Sequence, residues 1–148
     1  MRDGADKYNK NNQPIGTTMF TSVGMRAASA YKRVSVDTSD PYQVINMVFE
    51  GLLLSVATAR AALVRGDVAT KCAQISKAVR LIDEGLKPAL NLEQGGELAA
   101  NLDDLYAYCV ERLTLANMRN DEVILAEVIR VIEPLAQGWK QMGGKVAA

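Results

Sequence analysis

The sequence contains no histidine among its 148 residues. This absence excludes the Ser-His-Asp and Cys-His systems that activate a nucleophile, and the Glu-x-x-His ligands of di-iron helical bundles. Acidic pairs do not replace them, because adjacent residues of a helix point about 100° apart and do not converge on one substrate atom. Those pairs are Asp83-Glu84, Asp103-Asp104 and Asp121-Glu122. We therefore expect a protein that is not an enzyme and that needs no metal or cofactor.

The chain also lacks a net charge and a long apolar run. Its 17 basic and 17 acidic residues cancel, which removes the long-range attraction that nucleic acid or an anionic membrane requires. No continuous run approaches the ~18 apolar residues of a membrane span, and the N-terminus lacks the apolar core of a signal peptide. These absences predict a cytoplasmic protein that neither binds nucleic acid nor inserts into a membrane.

Cysteine is scarce. Cys72 and Cys109 stand alone, without the CxxC spacing of a redox or zinc site, and each falls on an apolar position of a helical pattern. Residues in such positions pack as small apolar side chains, and a reducing cytosol keeps them as thiols. We therefore expect two buried, reduced cysteines.

What the chain does have is apolar residues at helical spacing. They make up 49% of the sequence, enough for the core of one domain. From Asp40 onward they recur at three- and four-residue steps, as on one face of a helix. Asp40 can cap the first helix and Pro41 suits its first position. Turn-forming residues separate four such segments, at Gly66-Asp67, Gly95-Gly96 and 117–121.

Connections this short force successive helices to run antiparallel. The sequence therefore predicts an all-α fold, an antiparallel up-down four-helix bundle with a flexible N-terminal segment. Pro88 is expected to bend or end the second helix, and Pro134 to kink the fourth. The predicted organisation is a flexible tail at residues 1–29, one helical domain at 30–142 and a flexible end at 143–148.

The apolar stripes are wider than four helices need for packing on one another. Leu52-Leu53-Leu54, Val128-Ile129 and Val131-Ile132 are runs of adjacent apolar residues, which occupy more than one helix face. Two interpretations remain open at this point. The additional side chains either complete the core or form a groove for another amphipathic segment.

Several runs carry a specific likeness to a known family. Residues 30–41 read AYKRVSVDTSDP, and residues 47–51 read MVFEG. Later runs follow in the same order and approximate spacing: GGELAANL at 95–102, LYAY at 105–108, RLTLAN at 112–117, ND at 120–121, EV at 127–128 and WK at 139–140. Across residues 30–142 the chain closely resembles the FliS family of flagellar secretion chaperones. It departs from the family in having Asp40 where Ser commonly precedes the proline, and Asp is also a capping residue.

The resemblance implies a cytoplasmic chaperone. Members of the family hold the disordered C-terminal segment of flagellin, prevent its premature polymerisation and bring it to the flagellar type III export gate. Recognition of this kind places an amphipathic helix in an apolar groove and orders the client on binding.

The resemblance also implies roles for individual residues. Tyr31 and Val34 belong to an N-terminal segment that covers the vacant groove or docks at the export gate. The apolar wall that binds flagellin is assigned to Ile45, Val48, Phe49, Leu52, Leu102, Leu105, Tyr106, Leu113, Val128, Ile132 and Leu135. For each of these, packing in the core is the alternative.

A second class of function also fits the residues. A wide apolar stripe can close a homodimer, so the chain could be a structural or adaptor bundle. A weak homodimer of the free chaperone is likewise left open by the sequence. Sedimentation separates the two classes, because a permanent dimer would not yield to a client peptide.

Overall fold

A computed structural model of the chain describes residues 40–147, with side-chain exposure as far as residue 143. The predicted tail at residues 1–29, Tyr31 and Val34 lie outside the described residues, and their assignments stay predictions. By contacts between Cα atoms the chain divides into two units, 1–44 and 45–148.

The described part of the first unit is the cap of a helix. Asp40 Oδ1 accepts hydrogen bonds from the backbone N–H groups of Tyr42 at 3.1 Å and Gln43 at 3.4 Å. Its carbonyl oxygen accepts from Val44 N at 3.1 Å. The two side-chain bonds satisfy amides that have no partner within the helix, and the bond from Val44 is the first of the regular helix. The capping role predicted for Asp40 and the helix start at Pro41 are confirmed.

Four α-helices account for most of the second unit. They are α1 at Pro41–Val64, α2 at Val68–Arg80, α3 at Gly96–Arg119 and α4 at Glu122–Ala147, and a π-helical turn at Leu81–Leu86 extends α2. Over residues 40–147 the structure assigns no strand. The predicted all-α four-helix bundle with antiparallel neighbours is confirmed.

The turns between helices use the residues that the sequence indicates. Asp67 Oδ1 accepts from Thr70 N at 3.1 Å and caps α2. Asn120 ends α3 in the left-handed conformation with φ 52°, which Asn tolerates better than most residues. Asp121 Oδ1 then accepts from Val123 N at 2.9 Å at the start of α4. One residue therefore ends α3 and the next caps α4.

The end of α2 differs from the regular helix that the apolar spacing predicts. Helical structure stops at Leu86, before Pro88 as expected, but its last six residues form a π-helical turn. Gly85 lies where this turn approaches α1, since a Cβ added there would lie 2.9 Å from Val48 Cγ1. The close approach requires a residue without a side chain, and periodicity cannot show it.

The core draws on all four helices. Its members are each less than 9% exposed and apolar: Val48, Phe49, Leu52, Val56, Ala59, Ala62, Ile75, Ala78, Leu81, Ile82, Leu86, Ala99, Tyr106, Cys109, Leu113, Ala116, Ile124, Leu125, Val128 and Ile132. Within residues 40–147, α1 alone has the length and apolar composition to cross a membrane. A core helix of a soluble protein has the same properties, and α1 buries seven residues in this bundle.

Three positions differ from their predicted burial. Cys72 is partly exposed, so the expectation that both cysteines are buried is wrong for this one. Leu98 is 70% exposed and Val123 66%, although both are among the apolar residues that recur at helical spacing after Asp40. Helix α4 continues through Pro134 to Ala147.

Candidate functional site

The eleven side chains assigned to a binding wall fall into two groups. Seven are buried: Val48, Phe49, Leu52, Tyr106, Leu113, Val128 and Ile132. The other four are partly exposed: Ile45, Leu102, Leu105 and Leu135. Only the second group can touch another molecule without a rearrangement of the bundle.

Helix α3 has an apolar line that leaves the core. Leu98 and Ala116 are eighteen residues apart, which is five turns at about 3.6 residues per turn, so both side chains lie on the same line of the helix. Ala116 is fully buried, whereas Leu98 is 70% exposed. The line of α3 that packs in the core near the C-terminal end of the helix is therefore exposed at Leu98, while Ala99 on a neighbouring line stays buried.

Helix α4 repeats this arrangement in the opposite direction. Ile124 and Met142 are also eighteen residues apart and share one line of the helix. Ile124 is 5% exposed and Met142 is 51% exposed. The core-facing line of α4 is sealed near its N-terminus and open near its C-terminus.

The two open ends lie at the same level of the bundle. Helices α3 and α4 run antiparallel from the turn at Asn120 and Asp121, and Leu98 and Met142 are almost equally distant from it along the chain. The partly exposed side chains lie on the same faces between the open ends and the core. We call this set the open apolar surface: Leu98, Leu102, Leu105, Leu135 and Met142.

In the half of the α3–α4 pair nearer the connecting turn, polar contacts hold the two helices together. Glu127 accepts a hydrogen bond from Tyr108 Oη at 2.5 Å and one from Arg112 Nε at 2.9 Å. The hydrogen bond from Tyr108, followed by that from Arg112, lowers the pKa of the Glu127 carboxyl below its usual value. The Arg112 guanidinium also lies 5.9 Å from the centre of the Tyr108 ring. One carboxylate therefore joins two side chains of α3 to α4.

A buried lysine forms hydrogen bonds to the turn that connects α3 and α4. Lys71 on α2 is only 3% exposed, and its ammonium group donates to the carbonyl oxygen of Asn117 at 3.0 Å and to Asn120 Oδ1 at 2.6 Å. The last carbonyls of a helix have no partner within it, and a cation there is favourable. Lys71 therefore satisfies the end of α3 and joins it to α2.

Burial also sets the chemistry of two side chains at the centre of α3. Removal from water raises the pKa of Tyr106 to about 12 and that of Cys109 to about 11. Both groups are neutral at physiological pH and pack as apolar residues. Their environment is that of core residues, not of a nucleophile.

Ion pairs border the open apolar surface. Lys87 Nζ lies 3.6 Å from Asp103 Oδ1 beside α3, and Lys140 Nζ lies 3.8 Å from Glu50 Oε2 between α4 and α1. Each pair cancels its own charge, so the surface attracts a partner through apolar contact more than through charge. Within the described part of the chain, no cluster of three or more Cys, Asp or Glu residues could hold a metal ion.

The sequence interpretation did not single out Leu98 and Met142 as exposed. Leu98 lies on a core-facing line of its helix, and the family resemblance assigns neither Leu98 nor Met142 to the binding wall. The signal for both is their eighteen-residue separation from core positions. Periodicity does not show that these two side chains are exposed while Ala99 and Gly143, their neighbours in the chain, are buried.

Comparison with known proteins identifies a family of related sequences. A family model described as "Flagellar protein FliS" matches residues 24–146. The flagellar secretion chaperone FliS of Salmonella typhimurium is 41% identical over 133 residues, which cover 87% of this chain and 96% of that protein.

Two further relatives are similar over about three quarters of this chain. The flagellar secretion chaperone FliSB of Pseudomonas aeruginosa is 39% identical over 119 residues, with 78% of this chain and 94% of that protein covered. The flagellar secretion chaperone FliS of Vibrio cholerae is 34% identical over 117 residues, with coverages of 76% and 85%. The family match spans most of the chain, and the aligned residues cover 85% or more of each of these relatives. The chain therefore belongs to the flagellar protein FliS family.

Proposed function

We propose that this protein is a flagellar export chaperone that holds the disordered C-terminal segment of flagellin on its open apolar surface. The names of the relatives support the general role of a flagellar secretion chaperone. The runs at residues 95–102 and 105–108, which carry the resemblance to the family, include Leu98, Leu102 and Leu105 of this surface.

One observation carries the proposal. Leu98 and Met142 continue the core-facing lines of α3 and α4 beyond the core, and they are 70% and 51% exposed. Full burial of a leucine or methionine side chain is worth about 1.5–3 kcal/mol. A client helix that covers this surface recovers much of that free energy, which offsets the entropy lost when the client becomes ordered.

The seven buried members of the predicted wall take an indirect part in this proposal. Phe49, Leu52 and Leu113 are examples of side chains that support the surface from beneath. Direct contact with flagellin is proposed for the partly exposed members, which are Ile45, Leu102, Leu105 and Leu135. Covering the client's apolar face keeps it from the subunit contacts of the filament, and no nucleotide is required.

Delivery completes the proposed role. The chaperone works in the cytoplasm and brings flagellin to the type III export gate. Tyr31 and Val34 keep the role implied by the family, covering the empty groove or docking at the gate. A Tyr31→Ala variant should change gate docking or client exchange and leave the helical content unaltered. Unchanged docking and exchange would remove Tyr31 from the mechanism.

Calorimetric titration tests the proposal. The flagellin C-terminal segment should bind the full chain with 1:1 stoichiometry and a large negative heat-capacity change, because apolar burial and folding on binding both contribute to it. A segment of the same length from the centre of flagellin is the control and should not bind. Binding should persist in moderate salt, since apolar contacts are not screened. Equal binding of both segments would contradict the proposal.

A further inference from the structure

Trp139 lies among the exposed apolar residues of α4, and the proposed function gives it no role. It follows Leu135 by four residues and precedes Met142 by three, so the three side chains share one face of the helix. Val128, eleven residues earlier and about three turns away, is 1% exposed, whereas Trp139 is partly exposed. Trp139 therefore continues a line of α4 that is buried near the connecting turn and reaches solvent further along.

The contacts of α4 with its neighbours show where Trp139 points. Glu122 and Lys140 form ion pairs with α1, whereas Glu127 forms one with α3. Around the helix, Trp139 lies about 100° from Lys140 on one side and about 120° from Glu127 on the other. Its side chain is therefore directed between α1 and α3, towards the interior of the bundle.

Leu102 is directed inwards from α3 in the same way. Asp103, the next residue, lies beside Lys87 beyond the end of α2, and Arg112 forms an ion pair with α4. These two positions lie about 100° and about 80° to either side of Leu102. Leu102 is partly exposed, although its direction is that of a core residue.

Leu102 and Trp139 lie at one level of the bundle. Counted from Asn120, Leu102 is eighteen residues back along α3 and Trp139 is nineteen residues forward along α4. Because the two helices run antiparallel, these side chains face each other across the interior. The other members of the open apolar surface form one level on each side of this pair: Leu98 with Met142, and Leu105 with Leu135. Leu102 and Trp139 are therefore the centre of the surface.

The residue type at this centre is typical of a binding anchor. Trp139 is the only tryptophan of the chain. The aromatic side chains of α3 are used elsewhere, because Tyr106 is buried in the core and Tyr108 donates a hydrogen bond to Glu127. A few large side chains, tryptophan foremost among them, carry most of the free energy of an interface, and they cluster near its centre. Trp139 has both the chemistry and the position of such a residue.

We propose that Trp139 is the anchor of the client site: its indole ring and Leu102 form a floor that buries one large apolar side chain of a client helix. This inference rests on the proposed function and names the residue on which client affinity depends most. The four outer side chains of the open apolar surface form the sides of the site.

The same three levels define the client segment that fits. From Leu98 to Leu105 they span seven residues, or roughly 10 Å at ~1.5 Å per residue, which is two turns of a helix. A segment that matches this length carries apolar side chains at positions i, i+3 or i+4, and i+7. The middle one of the three rests on the indole ring.

Tryptophan fluorescence of the full chain tests the inference, because all of its tryptophan emission comes from Trp139. The probe is a flagellin C-terminal segment without tryptophan, and a central segment of the same length is the control. On binding of the C-terminal segment, the emission should move to shorter wavelength and acrylamide should quench it less, since the ring leaves water. The central segment should change neither.

Two outcomes of the titration would overturn the inference in distinguishable ways. Emission and quenching that stay unchanged while calorimetry records binding would show that the client does not cover Trp139, and the proposed function would stand. Absence of binding by both methods would remove the proposed function and the inference with it.

Titration of variants with the same C-terminal segment separates contact from support. Trp139→Leu keeps an apolar side chain but removes the ring, and it should weaken binding about tenfold or more. Trp139→Phe restores a ring and should recover most of that loss. Tyr108→Leu is the matched control, because it removes a partly exposed ring from the half of α3 nearer the connecting turn, and it should bind like the wild type.

Circular dichroism of each variant precedes the titration and measures its helical content. Wild-type affinity in a folded Trp139→Leu, or equal losses in Trp139→Leu and Tyr108→Leu, would overturn the inference. If Trp139→Leu loses its helical content, the fluorescence titration decides, because it uses the unaltered chain.

Discussion

The two halves of the α3–α4 pair have the same apolar pattern but differ in the burial of their side chains. Ala116 and Ile124, near the connecting turn, are sealed in the core, whereas Leu98 and Met142, on the same helical lines, are exposed. The sealed half also makes the polar contacts described above, with Lys71 of α2 and through Glu127 of α4. The difference teaches that apolar spacing determines which face of a helix is used, while neighbouring elements determine how far along the helix that face is covered.

Truncation of a leucine in each half gives the largest expected contrast. Leu113 is fully buried in the sealed half, so Leu113→Ala should lower the free energy of unfolding by about 2–5 kcal/mol through lost burial and a cavity. Leu98→Ala, in the open half, should change it by no more than ~0.5 kcal/mol. Chemical denaturation measures both. Similar losses would mean that the two halves are equally packed.

Removal of the Lys71 ammonium should have the next largest effect. Lys71→Met keeps the apolar stem but leaves the Asn117 carbonyl and Asn120 Oδ1 without their buried donor. An unsatisfied buried polar group costs about 1–3 kcal/mol. The same denaturation experiment applies, with the exposed Arg119→Met as control. If both variants retain the stability of the wild type, the turn does not depend on this contact.

Acid should reduce the stability that Glu127 contributes to the sealed half. Hydrogen bonds from Tyr108 and Arg112 depress the pKa of this carboxyl in the folded state. Its contribution to stability is therefore present above its unfolded pKa of about 4.3 and is lost as pH falls through the folded pKa. The stability difference between wild type and Glu127→Gln should shrink below pH ~4. A difference that stays constant from pH 7 to pH 3 would exclude this role.

The smallest expected effect concerns the two cysteines, whose rates of labelling report how tightly each site is packed. Cys109 is fully buried, and burial raises its pKa to about 11, whereas Cys72 is partly exposed. A thiol reagent should label Cys72 in the folded protein and reach Cys109 only when the bundle opens. Mass spectrometry of single-cysteine variants measures both rates. Equal rates would indicate that the sealed half opens readily.

The sequence predicts the bundle well, because three of the four helix starts have a local cause. Asp40, Asp67 and Asp121 cap helices through bonds that depend on neighbouring residues alone. Periodicity also predicts the faces on which Leu113 and Val128 lie. These features depend on interactions within a few residues, which a single sequence contains.

The exposure of individual side chains and the irregular helix geometry are harder to predict from the sequence. The exposure of Leu98 and the partial exposure of Cys72 depend on where other helices end. The π-helical turn depends on the approach of Gly85 to Val48, which are far apart in sequence. Lys71 would be placed on a polar face by its type, yet it is buried because the end of α3 needs a donor. The family resemblance supplied the wall residues, but it could not separate those that face a client from those that fill the core.

The central claim is that flagellin binds where the apolar lines of α3 and α4 leave the core. Titration of the flagellin C-terminal segment into Leu98→Glu and Leu54→Glu tests it most directly, since these leucines are 70% and 68% exposed and lie on different helices. Glutamate in the first turn of α3 is compatible with the helix, so the fold should survive. We expect Leu98→Glu to weaken binding at least tenfold and Leu54→Glu to bind like the wild type. Full affinity in Leu98→Glu, with the loss in Leu54→Glu instead, would contradict the account.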